Sequence, residues 1–416
     1  MELSMVHPYD HFRTCTLGLV TKHGAANDLV GGTTTVLAQV MKRGSSRYSE
    51  PEVAKLIDGK GGVFFTAVEK DYSIFGCRVL PRYSDDVLDL LFDLISTPIL
   101  NPMAFEIERE KLIQTVQQIK ASSLQKMLFF DADRAIFGPN HLLGRSQFGD
   151  EESLSKIGIE DLSSTLSKFR ENMFGFLVGN FNRTILSKVQ QKFEEFSPRK
   201  LPISEQTKFP KRKNGKKVAV LSPVPSDQNA YLCLNVTTTA TPLNVAMCRF
   251  SSALLGESYG SRMFRVLRDE LGLGYITGSN MSVINDNLIL RCFMETNPAR
   301  VGEALGRLAD LIVDLGRKPV SKREFETTKD FLINGLDLDF DSCLGITGKM
   351  INRRIHGLEE SVESIYAEIQ RVDPKELTLW WKDILAPENF SLAASGNINP
   401  SVLNEQWETE IEITIG

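Results

Sequence analysis

Few residues of this sequence stand in spacings that are typical of catalysis. The five histidines form neither H-E-x-x-H nor H-x-x-E-H, the spacings that place two imidazoles on one helical face around zinc; they are His7, His11, His23, His141 and His356. The segment Gly144–Gly149 around Ser146 is one residue too long for the G-x-S-x-G nucleophile elbow. No phosphate-binding glycine loop is present. The spacings therefore predict no zinc site and no serine nucleophile.

Composition and charge exclude several other classes of protein. The chain has 416 residues, enough for two or three domains, and its 48 basic and 53 acidic residues leave no electrostatic reason to expect nucleic acid. The charge-free stretch 228–248 holds four Thr, three Asn and Pro242, so it predicts no membrane span. Met1–Asp10 lacks the basic start and apolar core of a signal peptide. We expect a cytoplasmic protein without a membrane span.

The six cysteines point to a protein without disulfides. They lie far apart with no C-x-x-C pair, and four of them sit in apolar runs. Buried free thiols in a reducing compartment explain this pattern better than disulfide bonds do.

An internal repeat predicts two similar domains. The segment Glu171–Asn182 recurs as Glu388–Asn399, with Glu, Asn, Gly, Asn and Asn matching at a constant offset of 217. An apolar strand near the start of each half, at 16–20 and 231–235, repeats at nearly the same offset. We expect a first domain at residues 1–205 and a second at 206–416. The Pro- and Lys-rich stretch Ser197–Lys217 is interpreted as an exposed linker between them.

The hydrophobic patterns predict an α+β fold, with each domain a mainly antiparallel sheet and helices on one face. Ser49 and Glu52 form a capping-box signature for one helix, and Ser321 with Glu324 forms another. The predicted strands lie near 13–21, 63–67, 72–80 and 287–293, and the other predicted helices near 32–43, 84–95, 105–122 and 300–315.

The stretch Gly31–Ser49 resembles the zinc-binding helix of the insulinase and pitrilysin superfamily, which includes the mitochondrial processing peptidases. The family has an inverted zinc motif followed by a basic residue with Gly-Thr or Gly-Ser. Matched backwards from Gly44, the two metal histidines fall on Thr35 and Gln39, and the water-activating glutamate falls on Ala38. The resemblance therefore implies a chain that has lost its zinc motif.

The resemblance extends to the third zinc ligand and over nearly the whole chain. The family's glutamate on a later helix corresponds to Gln118. Thr, Gln and Gln are weak neutral donors, so no metal is expected on this chain. The segment Phe137–Gly144 looks like the family's segment before its closing helices, which makes His141 a structural residue.

The second half keeps a different part of the family pattern. Gly260–Tyr275 is similar to the C-terminal signature, in which an arginine stands seven residues before a tyrosine, here Arg268 and Tyr275. In the family this pair holds the substrate carbonyl and the developing oxyanion, a role that suits a guanidinium and a phenol. A surface ion pair for Arg268 and core packing for Tyr275 is the competing interpretation.

The resemblance implies a subunit that is inactive alone. Several enzymes of the superfamily pair a zinc-bearing subunit with one that carries Arg and Tyr. We therefore expect the non-zinc subunit of a heterodimeric zinc metalloendopeptidase, with Arg268 and Tyr275 as catalytic and substrate-binding residues, a homologous partner that holds the zinc, and a peptide substrate bound as an added strand. A homodimer in isolation stays open.

Two other interpretations are left open. One is an inert structural subunit, similar to the core proteins of the respiratory bc1 complex. The other is a self-sufficient enzyme with an unrecognised site, which would act alone and resist chelators.

Overall fold

The computed structural model describes residues 2–196 and 218–415, so the predicted linker at Ser197–Lys217 lies outside the described residues. In chain order the first half forms β1 (Leu3–Pro8), β2 (Cys15–Thr21), α1 (Thr33–Met41), α2 (Glu50–Asp58), β3 (Val63–Val68), β4 (Ser73–Val79), α3 (Ser84–Ser96), α4 (Pro102–Ala121), α5 (Ser123–Lys126), α6 (Ala132–Phe137), α7 (Glu151–Lys156), α8 (Ile159–Phe169), β5 (Met173–Gly179) and α9 (Arg183–Glu195).

The second half follows a similar order of elements. It forms β6 (Val218–Pro223), β7 (Ala230–Thr239), α10 (Pro242–Ser252), β8 (Thr277–Ile284), β9 (Asn287–Thr296), α11 (Val301–Arg317), α12 (Lys322–Asp339), α13 (Cys343–Ile355), α14 (Val362–Arg371), α15 (Pro374–Ile384), β10 (Phe390–Gly396) and α16 (Pro400–Ile415). The predicted α+β class is confirmed, and so are the predicted strands and helices, whose bounds shift by a few residues.

Each unit is built on a five-stranded mixed sheet, and the two sheets have the same topology. The strand orders are β1-β5-β2-β4-β3 and β6-β10-β7-β9-β8. Only the outermost pairs, β1 with β5 and β6 with β10, are parallel, while the other neighbours are antiparallel. Every residue of β2 and of β10 is buried, so both faces of these strands are covered.

The repeated Gly-Asn segments have one structural cause in both units. Gly179 and Gly396 end their strands with positive φ values of 111° and 91°, a conformation that favours glycine. Asn182 and Asn399 then cap the helices α9 and α16, accepting from the backbone N–H of Ile185 and of Ser401. The repeat therefore encodes a strand end, a turn and a helix cap.

Each of the two compact units is assembled from three separate stretches of the sequence. Unit 1 contains residues 2–117, 146–196 and 339–357, and unit 2 contains 118–145, 218–338 and 358–415. The division expected at 205/206 follows the order of the chain, whereas this grouping follows packing. In unit 1, the Cys343 thiol of α13 lies 3.1 Å from the Thr16 hydroxyl of β2.

In unit 2, the segment 118–145 packs on the second sheet. Met127, Ala132 and Ala135 form a buried cluster with Cys233 of β7 and Ala393 of β10. The Arg291 guanidinium of β9 pairs with the carboxylate of Asp133 in α6, and both side chains are largely buried. Apolar burial and one ion pair therefore hold this segment to the sheet.

The cysteine prediction is confirmed, because all six thiols are buried and free. Among the described residues, no helix is both long enough and apolar enough to cross a membrane.

Candidate functional site

Arg268 lies on a wide helical turn in unit 2. Residues Met263–Glu270 form a π-helix, in which the N–H of Leu271 donates to the carbonyl of Val266 at 3.0 Å. The start of this helix is fixed by a two-pronged ion pair, since Arg262 donates to both carboxylate oxygens of Glu324 at 2.8 and 3.0 Å. The helix that carries Arg268 is therefore anchored to α12.

The turn after this helix brings Tyr275 back towards Arg268. Leu273 is buried, and its N–H donates to the carbonyl of Leu267 at 2.7 Å. A Cβ atom on Gly274 would lie 1.7 Å from the carbonyl oxygen of Glu295, so only glycine allows this close approach to β9. The side chain of Tyr275 then emerges into solvent with 73% of its surface exposed.

Two aromatic rings contact the guanidinium of Arg268. The guanidinium carbon lies 4.2 Å from the ring centroid of Phe264 and 4.3 Å from that of Tyr275, so the group contacts both π systems. Neither Arg268 nor Tyr275 makes a side-chain hydrogen bond or ion pair with any described residue. Within the described ranges, the guanidinium N–H groups and the phenol hydroxyl are therefore free to bind a ligand.

Both side chains line one concave surface of about 580 Å³ in unit 2. Asp269 and Glu295 also line this surface, and the carboxylate of Glu295 accepts from the amide of Asn229 at 2.8 Å. The structure thus brings the two predicted site residues together, in a setting that includes two carboxylates. Core packing for Tyr275 and an ion pair for Arg268 are both excluded within the described residues.

The family's zinc positions do not fit a metal in this chain. The hydroxyl of Thr35 donates to the carbonyl of Gln147 at 2.8 Å, and the buried Ala38 offers no donor atom. The amide of Gln39 lies 3.5 Å from the Thr66 hydroxyl, and Gln118 lies exposed in α4. These neutral groups neither hold Zn²⁺ nor activate water. Among the described residues, no three His, Cys, Asp or Glu side chains are grouped to hold a metal.

One buried titratable pair stands beside α1 and has no counterpart among the sequence predictions. The carboxylate of Asp28 accepts from the backbone N–H of Thr34 at 3.1 Å and also from its hydroxyl. Burial raises the pKa of Asp28 to about 7. The imidazole of His23 lies 3.9 Å from this carboxylate, and burial lowers the pKa of His23 to about 4.

His141 has a structural role, as expected. Its Nδ1 accepts from the N–H of Leu143 at 3.1 Å, and its ring stacks on Phe137 with centroids 5.6 Å apart.

Phe264 and Tyr259 are the site residues that sequence reasoning missed. Phe264 precedes Arg268 by four residues in a helix, a spacing that places two side chains on one face and could have indicated the contact. Tyr259 lies before the helix, and nothing in the sequence shows that its ring meets Phe264.

Comparison with known proteins agrees with a peptidase-like fold of two units. The sequence profile of insulinase, peptidase family M16, matches residues 5–145, and the profile of the peptidase M16 inactive domain matches residues 168–332. The uncharacterized zinc protease YmxG of Bacillus subtilis (strain 168) is 21% identical over 402 residues, covering 93% of this chain and 94% of that protein.

Two solved structures share the fold at low identity. A protease from Helicobacter pylori has a TM-score of 0.85 at 15% identity, and the alignment covers 94% of this chain and 96% of that one. The peptidase M16 inactive domain from Pseudomonas fluorescens has a TM-score of 0.83 at 16% identity, covering 94% and 95% of the two chains. With the two profile matches, these findings show that the chain belongs to the insulinase family of peptidases, M16.

Proposed function

We propose that this chain is the non-zinc subunit of a heterodimeric zinc metalloendopeptidase, and that it supplies Arg268 and Tyr275 to the active site of a zinc-bearing homologue. The observation that carries the proposal is the guanidinium of Arg268, whose N–H groups have no partner among the described residues, beside the exposed side chain of Tyr275. Alone, the chain is inactive.

The chemistry of these two groups suits a peptide carbonyl. During hydrolysis, negative charge grows on the carbonyl oxygen, and donors that are already oriented stabilise it without further reorganisation. The guanidinium presents several N–H donors in one plane, and the phenol adds an O–H donor from the same concave surface. The partner's metal would supply the activated water, and the present chain would hold and polarise the scissile carbonyl.

The loss of the metal donors supports a division of labour. Thr35, Ala38 and Gln39 leave no imidazole or carboxylate at the family's zinc positions, while the Arg and Tyr of the second half are retained. A guanidinium whose N–H groups have no partner among the described residues, next to an exposed phenol, is the pair of donors that an oxyanion requires. The inert structural subunit is accordingly the outcome against which the proposal is tested.

The experiment is purification of the tagged chain from its native cells, followed by intact mass, zinc content and peptidase activity. We expect a second chain of similar size, one zinc per complex, and chelator-sensitive cleavage that the chain alone lacks. In this complex, Arg268→Ala should lower kcat by about 10² to 10³, the effect of removing one oxyanion donor. Tyr275→Phe, which removes only the hydroxyl, should lower kcat without weakening assembly.

Arg265→Ala provides the matched control. Arg265 lies on the same helix, three residues before Arg268, but is exposed, and its ion pair with Glu270 at 3.7 Å is the only one it forms with the part of the chain that the structure describes. Its removal should leave kcat within about twofold of the wild type, because an exposed pair contributes little. A metal-free homodimer, or full activity in the Arg268→Ala complex, would contradict the enzyme-subunit proposal and favour a structural role.

A further inference from the structure

Four side chains at the candidate site contact one another in succession. The rings of Tyr259 and Phe264 meet edge to face, with centroids 4.9 Å apart and planes at 86°. The guanidinium carbon of Arg268 lies 4.2 Å from the ring centroid of Phe264 and 4.3 Å from that of Tyr275. The order of the contacts is therefore Tyr259, Phe264, Arg268 and Tyr275.

Phe264 is better placed than Tyr275 to hold the guanidinium still. Phe264 is half-buried on the anchored π-helix, whereas the Tyr275 ring is 73% exposed and follows a turn. Arginine has a long side chain whose ordering costs up to about 2 kcal/mol, and no polar group of the described residues restrains Arg268. The restraint must therefore come from the rings, and the fixed ring is that of Phe264.

Stacking is the kind of restraint that leaves an arginine able to act. A carboxylate partner would occupy the N–H groups, as Glu324 does for Arg262. A ring above the guanidinium plane attracts the cation through its π face and leaves the in-plane donors open. Phe264 can thus fix the orientation of Arg268 without competing with a substrate oxygen.

We propose that Phe264 positions Arg268 for the substrate carbonyl. This inference rests on the proposed function. Phe264 offers no hydrogen-bond donor or acceptor to a substrate, so it acts through Arg268 and is a positioning residue rather than a catalytic one.

The test is a double-mutant cycle in the complex isolated from native cells, using an internally quenched peptide that the wild-type complex cleaves. The variants are Phe264→Leu, which keeps apolar bulk but removes the ring, Phe264→Tyr, which keeps the ring, Arg268→Ala, and the double variant. Phe264→Leu should lower kcat about tenfold with little change in KM, and Phe264→Tyr should restore it. In the double variant kcat should equal that of Arg268→Ala, because a positioning residue has no effect once its target is gone.

A second readout does not depend on activity. In NMR spectra of the chain alone, the Nε–H proton of Arg268 should be shifted upfield by the two rings, and this shift should shrink in Phe264→Leu. Phe331→Leu is the matched control, since Phe331 is an aromatic residue of α12 in the same unit with 39% of its surface exposed. It should change neither kcat nor the Arg268 resonance.

The possible results separate the two proposals. If Arg268→Ala lowers kcat but Phe264→Leu matches the wild type, the positioning role is overturned while the proposed function stands. If Phe264→Leu lowers kcat by the same factor with and without Arg268, Phe264 acts through the fold and the inference is again overturned. If Arg268→Ala leaves kcat unchanged, the proposed function fails and the positioning role fails with it.

Discussion

The pair of His23 and Asp28 predicts how the stability of the chain depends on pH. Burial raises the pKa of Asp28 from 3.8 to about 7 and lowers the pKa of His23 from 6.5 to about 4. Between about pH 4 and pH 6.5 the folded pair therefore holds one proton, and the unfolded pair, with a charged carboxylate and a charged imidazole, also holds one. The count is the same whichever of the two buried groups carries the proton. In this range the pair should therefore contribute almost nothing to the pH dependence of the wild-type free energy of unfolding.

Removing one residue of the pair should reveal how the other makes the free energy of unfolding depend on pH. A raised carboxyl pKa contributes stability that is present at low pH and is lost as pH rises towards about 7. Asp28→Asn removes this loss. The free energy of unfolding of the variant, relative to that of the wild type, should therefore increase as pH rises, by up to ~4 kcal/mol at ~1.4 kcal/mol per pKa unit. The lowered pKa of His23 contributes stability that is lost as pH falls from about 6.5 towards about 4. The free energy of unfolding of His23→Gln, relative to that of the wild type, should therefore decrease as pH rises, by up to ~3 kcal/mol.

Urea denaturation of the wild type and the variants, from about pH 4.5 to about pH 7.5, measures these differences directly. The double variant Asp28→Asn/His23→Gln is the control, because it lacks both groups and should track the wild type up to about pH 6.5. Lys168 also lowers the pKa of His23 and is kept in every variant. If the free-energy difference between Asp28→Asn and the wild type stays constant across this range, the reasoning is refuted.

Two further substitutions test the packing of unit 2. Asp133→Ala leaves the buried guanidinium of Arg291 without its carboxylate, so it should lower the free energy of unfolding, measured by urea denaturation, by ~3–5 kcal/mol. The control Lys318→Ala removes an exposed pair with Asp314 and should lower it by less than ~1 kcal/mol. Equal losses would show that the pair does not hold the segment 118–145. Gly274→Ala should lower the free energy of unfolding by ~2 kcal/mol and displace Tyr275, because the new Cβ would meet the carbonyl of Glu295. In the control Gly335→Ala, on α12, the Cβ meets nothing within 4 Å, so the free energy of unfolding should rise by up to ~1 kcal/mol. A neutral Gly274→Ala would contradict the close approach to β9.

Local structure was predictable wherever one short segment contains all the interacting groups. The Ser49 backbone N–H donates to the carboxylate of Glu52 at 2.8 Å, as the capping-box spacing predicts. The repeated Asn182 and Asn399 were visible as a pattern for the same reason, since each caps the helix that directly follows it. Strand β1 was not predicted, because its only neighbour is β5, far away in the sequence.

The candidate site was predictable only in part. The spacing of Arg268 and Tyr275 in a family-like segment indicated a pair, but their stacking depends on the π-helical turn and on the approach of Gly274 to Glu295. The contact of Tyr259 with Phe264, and the pairing of His23 with Asp28, depend on where the backbone turns.

The sequence by itself determined which donor types stand at the family's zinc positions and which local elements the chain forms. Residue types at Thr35, Ala38 and Gln39 decide against zinc whatever their surroundings, because a neutral hydroxyl, a methyl group and an amide cannot replace imidazole and carboxylate. Tertiary structure decided which donors are free and which segments share a core. Both depend on groups distant in sequence, as when α13 packs on β2 or Phe264 and Tyr275 enclose Arg268, and no local pattern encodes such contacts.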